Sequence, residues 1–320
     1  MLLRYLLALF IWGALLVAQT LPNAAQIFVL HRFDDTRHPT TSISTVKLRE
    51  VFTYLRENGY HVASLQELQE HLKSQKPLPP KWVLFSIDDS YKSFYTHGLP
   101  LFREFGYPFI LAVYIEGSDQ KYPDFMTIEE LKDTMHYGEL ALHSYTHPHL
   151  TRLDDAQIDA DTQKGLAWMQ HHLAVTPRSY AYPYGEFDAR VQKRIAAFGF
   201  EIIFNQNSGA VSHESNPLDI DRIALMQDTP FKTKLRQRFL KAQWNLVEID
   251  PKSQQLQRIE ISVDPTIKEV ECYVSGGKWE RLKVNAGKIS HTFNTPLSKG
   301  RNRIILKTFD HQWSSKLIIL

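Results

Sequence analysis

Residues 81–90 read KWVLFSIDDS, an apolar run that ends in two adjacent carboxylates. Such a run is typical of a strand buried on both faces, and Asp88 and Asp89 then fall at its carboxyl end. Two similar runs lie on either side of it in the chain, QIFVLHRF at 26–33 and PFILAVYI at 108–115. Together the runs predict a sheet of buried strands, with polar side chains where strands end.

Helical segments separate these strands. The stretch TVKLREVFTYLRENGY at 45–60 has apolar residues at helical spacing and ends at Asn58-Gly59, a C-cap signal. SLQELQEHLKSQ begins with a capping box, and DDAQIDADTQKGLAWMQHHL and DARVQKRIAAFGF are further helical patterns. Strands that alternate with helices predict an α/β domain over residues 26–243, with a parallel sheet that is either barrel-like or open.

The pattern changes toward the C-terminus. From residue 258 onward, short alternating runs are broken by Gly-Gly, Asn-Ala-Gly and Ser-Lys-Gly turns, without a convincing helix. This pattern predicts a small all-β sandwich of immunoglobulin-like type over 258–320, with the polar stretch 244–257 as a linker. Cys272 is the single cysteine, so no intrachain disulfide can form, and its alternating surroundings favour a strand residue.

Residues 1–25 have the layout of a secretory signal peptide: one early cation at Arg4, an apolar run, and small residues at Ala24 and Ala25. A buried first helix and an uncleaved membrane anchor are the alternatives. Because the apolar run is shorter than the roughly 20 residues that span a bilayer, cleavage is favoured. We therefore expect an exported protein, periplasmic or associated with the cell envelope, and membrane anchoring by an uncleaved leader stays open.

The charge balance bears on the class of partner. With 37 basic and 35 acidic residues the net charge is +2, and no stripe of Lys or Arg stands out. Nucleic-acid binding is therefore not expected, since that class needs clustered cations to neutralise phosphates. A neutral sugar substrate is compatible with this balance.

The stretch ALHSYTHPHL at 141–150 places His143 and His147 four residues apart, a spacing that recurs in metal sites. Two histidines at this spacing also arise by chance, so the pair alone does not decide. In Asp88-Asp89 one carboxylate can bind a metal while the other accepts a proton from water. The alternative is a helix N-cap, but two buried like charges need a cation to stabilise them.

Two further stretches end strands. SYAYPYGEFD at 179–188 runs into a rigid Pro-Tyr-Gly turn whose backbone N–H groups can hold an oxyanion, although an ordinary turn has the same signature. His31 ends the first strand and by itself would be a packed structural residue. Since the carboxyl ends of strands in such a fold meet at one face, His31 should lie near Asp88 and Asp89.

In this order, FSIDDS, HSYTH and YAYPYG resemble the motifs of the polysaccharide deacetylases, carbohydrate esterase family 4, over residues 26–226. The resemblance implies a distorted (β/α) barrel and a divalent metal, with Zn²⁺ favoured. It also implies roles for single residues: Asp88 as the catalytic base, Asp89, His143 and His147 as metal ligands, and the Tyr184 backbone N–H as oxyanion donor.

The sequence departs from that family in three places. Asp-Asp-Ser replaces the usual Asp-Asp-Gly, the family's arginine close before Pro-Tyr-Gly is out of register, since Arg178 lies five residues before Pro183, and the closing Leu-His motif is missing. VLHRF precedes all three motifs. This order resembles the poly-N-acetylglucosamine deacetylases of bacterial biofilms, which implies that His31 is the general acid. Arg222 in DIDRIAL is a candidate partner for Asp88, and His149 has no assigned role. Candidates to stack on sugar rings are Tyr91, Tyr145 and Tyr182.

The function implied is hydrolysis of N-acetyl groups on an exported N-acetylglucosamine polymer by a monomeric, metal-dependent enzyme. An O-acetyl esterase would use the same site. A catalytically silent carbohydrate-binding protein of the envelope is a third reading, with the β domain as its docking part. Asp88 argues against silence, because a non-enzyme has little use for a second acid beside a metal ligand. Peptidoglycan, an exopolysaccharide and a lipid-linked sugar all remain open as substrates.

Overall fold

The computed structural model describes residues 24–320. Apart from Ala24 and Ala25, the expected leader therefore lies outside the described residues. Ala25 is buried and exchanges two backbone hydrogen bonds of 2.8 Å with Val211. None of the helices between residues 24 and 320 combines the length and the apolar character that a bilayer crossing needs.

A parallel sheet forms the centre of the first domain. Its path runs β10–β1–β5–β6–β7–β8–β9, with β4 also paired to β5, while β2 and β3 pair separately. The strands are β1 (Gln26–Leu30), β2 (Arg32–Phe33), β3 (Ser42–Ile43), β4 (His61–Val62), β5 (Trp82–Ile87), β6 (Ile110–Val113), β7 (Glu139–Leu142), β8 (Ser179–Ala181), β9 (Ile202–Phe204) and β10 (Ile223–Ala224).

The two ends of this path are joined by one short segment. Ile220 forms a parallel bridge with Phe204 of β9, and Ile223 of β10 pairs with Phe28 of β1. The sheet therefore curls into a ring whose last side is very short. This is the distorted (β/α) barrel that the sequence predicts.

Helices connect the strands and cover the outside of the ring. The N-terminus of α2 has the capping box that the sequence predicts, with Ser64 and Glu67 bonded to each other's backbone N–H groups. The helices are α1 (Thr45–Glu57), α2 (Leu65–Ser74), α3 (Leu99–Phe105), α4 (Ile115–Asp119), α5 (Ile128–Thr134), α6 (Asp155–Leu173), α7 (Ala189–Ala196) and α8 (Phe231–Lys234).

Alternate strand residues divide the core into two clusters, as the period-2 geometry of a strand requires. Phe85 belongs to the larger cluster, together with Phe52 of α1 and Phe102 of α3. Leu84 belongs to the other cluster, which includes Leu68 of α2. Both faces of the sheet are buried, so its free carboxyl edge is where polar groups can gather.

The C-terminal part is a sandwich of two β-sheets. The sheets have the orders β11–β18–β17–β14–β15 and β12–β13–β16, and one apolar cluster joins residues of both. Buried Cys272 of β14 is part of that cluster, and burial raises the pKa of its thiol to about 12. The strands are β11 (Arg238–Phe239), β12 (Gln243–Ile249), β13 (Gln255–Ser262), β14 (Glu269–Val274), β15 (Trp279–Lys283), β16 (Lys288–Pro296), β17 (Arg301–Lys307) and β18 (Gln312–Ile319).

Residues 244–257 do not form the expected linker in the structure. Those residues contain most of β12, which pairs antiparallel with β13, as well as the start of β13 itself. β12 is an edge strand with two register shifts, and most of its side chains are half-buried or exposed. An edge strand of this kind buries little, so its polar sequence resembles a linker.

Candidate active site

Four strands of the barrel deliver the sequence-predicted residues to one edge. β1 and β5 pair in parallel up to Leu30 and Ile87, so His31 and Asp88 follow at the same height. β7 ends at Leu142 and is followed directly by His143. The Pro-Tyr-Gly turn follows β8. The carboxyl edge of the sheet thus collects all of these motifs, as parallel topology requires.

Asp89, His143 and His147 form a compact triangle of possible metal ligands. Asp89 Oδ1 lies 3.3 Å from His143 Nε2 and 3.2 Å from His147 Nε2, and the two Nε2 atoms are 3.2 Å apart. Tetrahedral zinc ligands at 2.0–2.2 Å from the ion stand about 3.3–3.6 Å from one another. The donor set and its spacing therefore fit a divalent ion, and the loop between the histidines brings both Nε2 atoms to the carboxylate.

Neighbouring groups set the protonation states of His143 and Asp89 so that they can bind a cation. His143 is buried and its Nδ1 lies 2.7 Å from the Ala181 carbonyl oxygen; this bond places the proton on Nδ1 and leaves Nε2 free as a ligand. Burial would raise the pKa of Asp89, but the neighbouring imidazoles of His143 and His147 hold it well below its usual range. Asp89 is therefore ionised, as a metal ligand must be.

Asp88 is fully buried and paired with Arg222, the partner that the sequence suggests. Arg222 Nη1 donates to Asp88 Oδ1 at 2.6 Å and Nη2 donates to Oδ2 at 2.8 Å, a bidentate pair of two completely buried side chains. Arg222 also donates to the Asn205 carbonyl oxygen. Burial would raise the pKa of Asp88, but the charge of Arg222 holds it below its usual value. Asp88 Oδ1 accepts only this one bond and keeps a lone pair to accept a proton, whereas Oδ2 also lies 3.4 Å from Gln206 Nε2.

A cavity of about 550 Å³ opens at the triangle, and Asp88 is not among the residues that line it. His31 lines it together with all three members of the triangle. Aromatic side chains form part of its wall, namely Tyr91, Tyr114, Phe125 and Tyr184. A concave site with convergent polar groups and an aromatic wall is of the kind that binds an organic ligand.

Tyr184 occupies a strained turn at the rim of this cavity. Its φ of 59° lies in the left-handed region, which residues with a Cβ rarely adopt. Asp89, Ser90, Ser144 and His147 also have positive φ values. Within residues 24–320, the Tyr184 N–H donates to no other group of the chain, so it is free to bind an oxyanion. Strain of this kind concentrates at functional sites.

Three residues at the site were not found from the sequence. His149 stacks on the Tyr184 ring with the centroids 4.2 Å apart, and its Nδ1 lies 2.6 Å from Glu186 Oε2. Arg301, from the β-sandwich, lines the cavity and donates to the Tyr184 carbonyl oxygen. Gln206 lines it as well. For His149 a signal existed, since it belongs to the histidine-rich loop, but its spacing differs from that of the ligands.

Two of the three suggested sugar-stacking residues cannot contact a sugar. Tyr145 and Tyr182 are 3% and 0% exposed, so neither ring can meet a ligand. Tyr182 instead stacks on Phe187, and the Tyr145 hydroxyl donates to Asp119. Tyr91 does line the cavity, beneath the Arg32 guanidinium 3.5 Å from its ring centroid.

The fold and the site define a class: (β/α)-barrel proteins with a carboxylate and two histidines positioned for a metal at the carboxyl edge of the sheet. Residues 75–203 match the sequence profile of the polysaccharide deacetylase family. Over those residues the chain therefore matches a polysaccharide deacetylase domain, and the resemblance inferred from the three motifs is confirmed.

Curated proteins that are similar to this chain are also named deacetylases. The chain is 25% identical over 280 residues to the poly-β-1,6-N-acetyl-D-glucosamine N-deacetylase of Escherichia coli K12, covering 72% of this chain but only 41% of that protein. It is 22% identical over 200 residues to the enzyme of that name from Staphylococcus aureus, covering 58% of this chain and 69% of that one. The chain thus spans less than half of the first relative.

Solved structures share the barrel. IcaB from Ammonifex degensii superposes with a TM-score of 0.60 at 23% identity, over 66% of this chain and 96% of that one. The Streptococcus pyogenes deacetylase PplD, solved with acetate, also gives a TM-score of 0.60, at 17% identity, over 65% of this chain and 94% of that one. These likenesses confirm the predicted fold.

Proposed function

We propose that this protein is a metal-dependent hydrolase that removes N-acetyl groups from a polymer of N-acetylglucosamine. The observation that carries the proposal is the triangle of Asp89, His143 and His147, which lines one cavity, with the buried Asp88 next to Asp89 in the chain. The names of the curated relatives support the substrate class. The apolar run in residues 1–25 supports a place of action outside the cytoplasm.

Asp89, His143 and His147 would hold a divalent ion, for which we propose Zn²⁺, and the ion would supply Lewis acidity toward the acetyl carbonyl and the attacking water. Asp88 accepts the proton of the attacking water, with Arg222 fixing both carboxylate oxygens. The Tyr184 N–H donates to the oxyanion of the tetrahedral intermediate. His31 donates a proton to the leaving sugar amine, so that the amine departs neutral.

Acetate release tests the proposed function directly. We expect the purified protein to release acetate from β-1,6-linked N-acetylglucosamine oligomers, to lose this activity on chelation, and to regain it with Zn²⁺ or Co²⁺. Loss and recovery follow because the ion held by Asp89, His143 and His147 would supply the Lewis acidity that the reaction needs. The measurement is enzymatic determination of acetate, with an O-acetylated glycan assayed in parallel. Release of acetate from the O-acetylated glycan alone would contradict the proposed N-deacetylase activity and would indicate an esterase.

Replacing His31 by Ala tests the general acid. We expect the His31→Ala variant to hydrolyse the amide about 10²-fold more slowly, the low end of general acid catalysis. Hydrolysis of an activated acetyl ester should change much less, because its leaving group departs without a proton. The ratio of kcat values on the two substrates is the measurement, and His97→Ala, which removes an exposed histidine, is the matched control. Equal losses of kcat on the two substrates would contradict the general-acid role of His31.

A further inference from the structure

The C-terminal β-sandwich reaches into the active site through one arginine. Arg301, the first residue of β17, lines the cavity of the barrel. Its Nη1 donates to the Tyr184 carbonyl oxygen at 2.6 Å, across 117 positions of sequence, and its Nε lies 3.4 Å from Glu186 Oε1. One side chain of the second domain thus holds the turn that contains the proposed oxyanion donor.

Arg301 is part of a closed set of contacts around Tyr184, which we call the Tyr184 clamp and which consists of Arg301, Glu186 and His149. Arg301 binds both the Tyr184 carbonyl and Glu186, and Glu186 binds His149. His149 in turn stacks on the Tyr184 ring, with the planes 11° apart. Both the main-chain carbonyl and the ring of Tyr184 are therefore held, although its backbone is in a disfavoured conformation.

A second contact from the same strand meets the other side of the site. Arg303 points to the same face of β17 as Arg301, because residues two apart in a strand share a face. Its Nη2 donates to the Gln206 carbonyl oxygen at 3.1 Å, while the Gln206 side chain lies 3.4 Å from Asp88 Oδ2. β17 therefore contacts the site on both the Tyr184 and the Asp88 sides.

We propose that the β-sandwich completes the active site, with Arg301 as a positioning residue that holds the Tyr184 turn, and through it the Tyr184 N–H, for oxyanion binding. The proposal rests on the proposed function for its chemistry, but the contacts of the Tyr184 clamp stand independently of it. If the sandwich were only an appendage, any single contact between the domains would be equally dispensable. The domain interface provides such a contact for comparison, since Ser315 Oγ donates to the Ser208 carbonyl oxygen at 2.8 Å.

The test compares Arg301→Ala, Arg301→Lys and Ser315→Ala in the whole chain. On N-acetylglucosamine oligomers we expect Arg301→Ala to lower kcat about tenfold, less than the loss of an oxyanion donor itself, with KM within about twofold. Arg301→Lys should recover part of kcat, since an ammonium can still donate to the Tyr184 carbonyl. Ser315→Ala should match the wild type. Equal kcat values for Arg301→Ala and Ser315→Ala, or a loss confined to KM, would overturn the proposal.

Hydrogen exchange separates this proposal from the proposed function. Amides at 182–186 should exchange faster in Arg301→Ala than in Ser315→Ala, because only the former releases the Tyr184 turn. If the wild type deacetylates no oligomer, the proposed function fails, yet faster exchange would still show that Arg301 holds the turn. Unchanged exchange at 182–186 in Arg301→Ala would refute the positioning role, whatever the activity.

Discussion

Asp88→Asn is expected to lower kcat for deacetylation by about 10²–10⁴, the range that general acid–base catalysis contributes. The amide has nearly the shape of the carboxylate and can still accept a hydrogen bond from Arg222, but it cannot accept the proton of the attacking water. Metal binding should persist, because Asp89, His143 and His147 are unchanged. Acetate release gives the rate, and equilibrium dialysis with Zn²⁺ gives the stoichiometry.

The control must also remove a buried, arginine-paired carboxylate. Asp35 meets this need: its side chain is 5% exposed and pairs with Arg32 and Arg37, outside the residues that line the cavity. Asp35→Asn should therefore keep kcat within about threefold, while losing a charge-assisted pair as Asp88→Asn does. An Asp88→Asn variant that binds Zn²⁺ and keeps full activity would falsify the assignment of the base.

The barrel and its motifs were predictable because their signals are local. An apolar run followed by polar residues, as in KWVLFSIDDS, marks a buried strand and also its carboxyl end, where parallel topology gathers side chains. The capping box of Ser64 and Glu67 and the C-cap at Asn58-Gly59 mark helix ends in the same local way. The strand ends then place His31 and Asp88 side by side without any knowledge of long-range contacts.

The contribution of the second domain was not predictable from such signals. Arg301 stands in a strand whose alternation predicts only that one face is exposed, and nothing near it in sequence points to Tyr184. The same limit applies to aromatic residues near the motifs. Tyr182 and Tyr184 are two residues apart, yet one is buried against Phe187 while the other lines the cavity. Turn geometry after β8 decides this, and the sequence pattern does not encode it.

The site thus combines two kinds of constraint. Barrel topology places the proposed metal ligands and the proposed base, and these parts carry the family motifs. The orientation of the Tyr184 turn depends on His149, Glu186 and Arg301, two from motif-flanking loops and one from the sandwich. Loss of the contacts from the sandwich should therefore affect the oxyanion side of the reaction more than metal binding.

Arg222→Met is expected to cost about 3–5 kcal/mol in free energy of unfolding, the cost of removing one partner from a buried ion pair. Arg222 and Asp88 are both 0% exposed, so loss of the guanidinium leaves a buried carboxylate without its countercharge. Urea unfolding in the presence of a chelator, so that no metal is bound, measures the free energy of unfolding. Arg194→Met is the matched control: Arg194 pairs with Asp159 at a partly exposed site, where such pairs contribute about 0–1 kcal/mol.

The double variant Asp88→Asn/Arg222→Met separates a buried charge from lost packing. Because no charge then remains, it should be more stable than Arg222→Met alone, a coupling that packing loss would not produce. The pH dependence has a definite sign as well. Without Arg222, burial raises the pKa of Asp88, so folding favours its protonated form, and the deficit relative to wild type should shrink from pH 8 to pH 5. A deficit independent of pH, with the double variant less stable than Arg222→Met, would show that Arg222 acts through packing rather than by compensating Asp88.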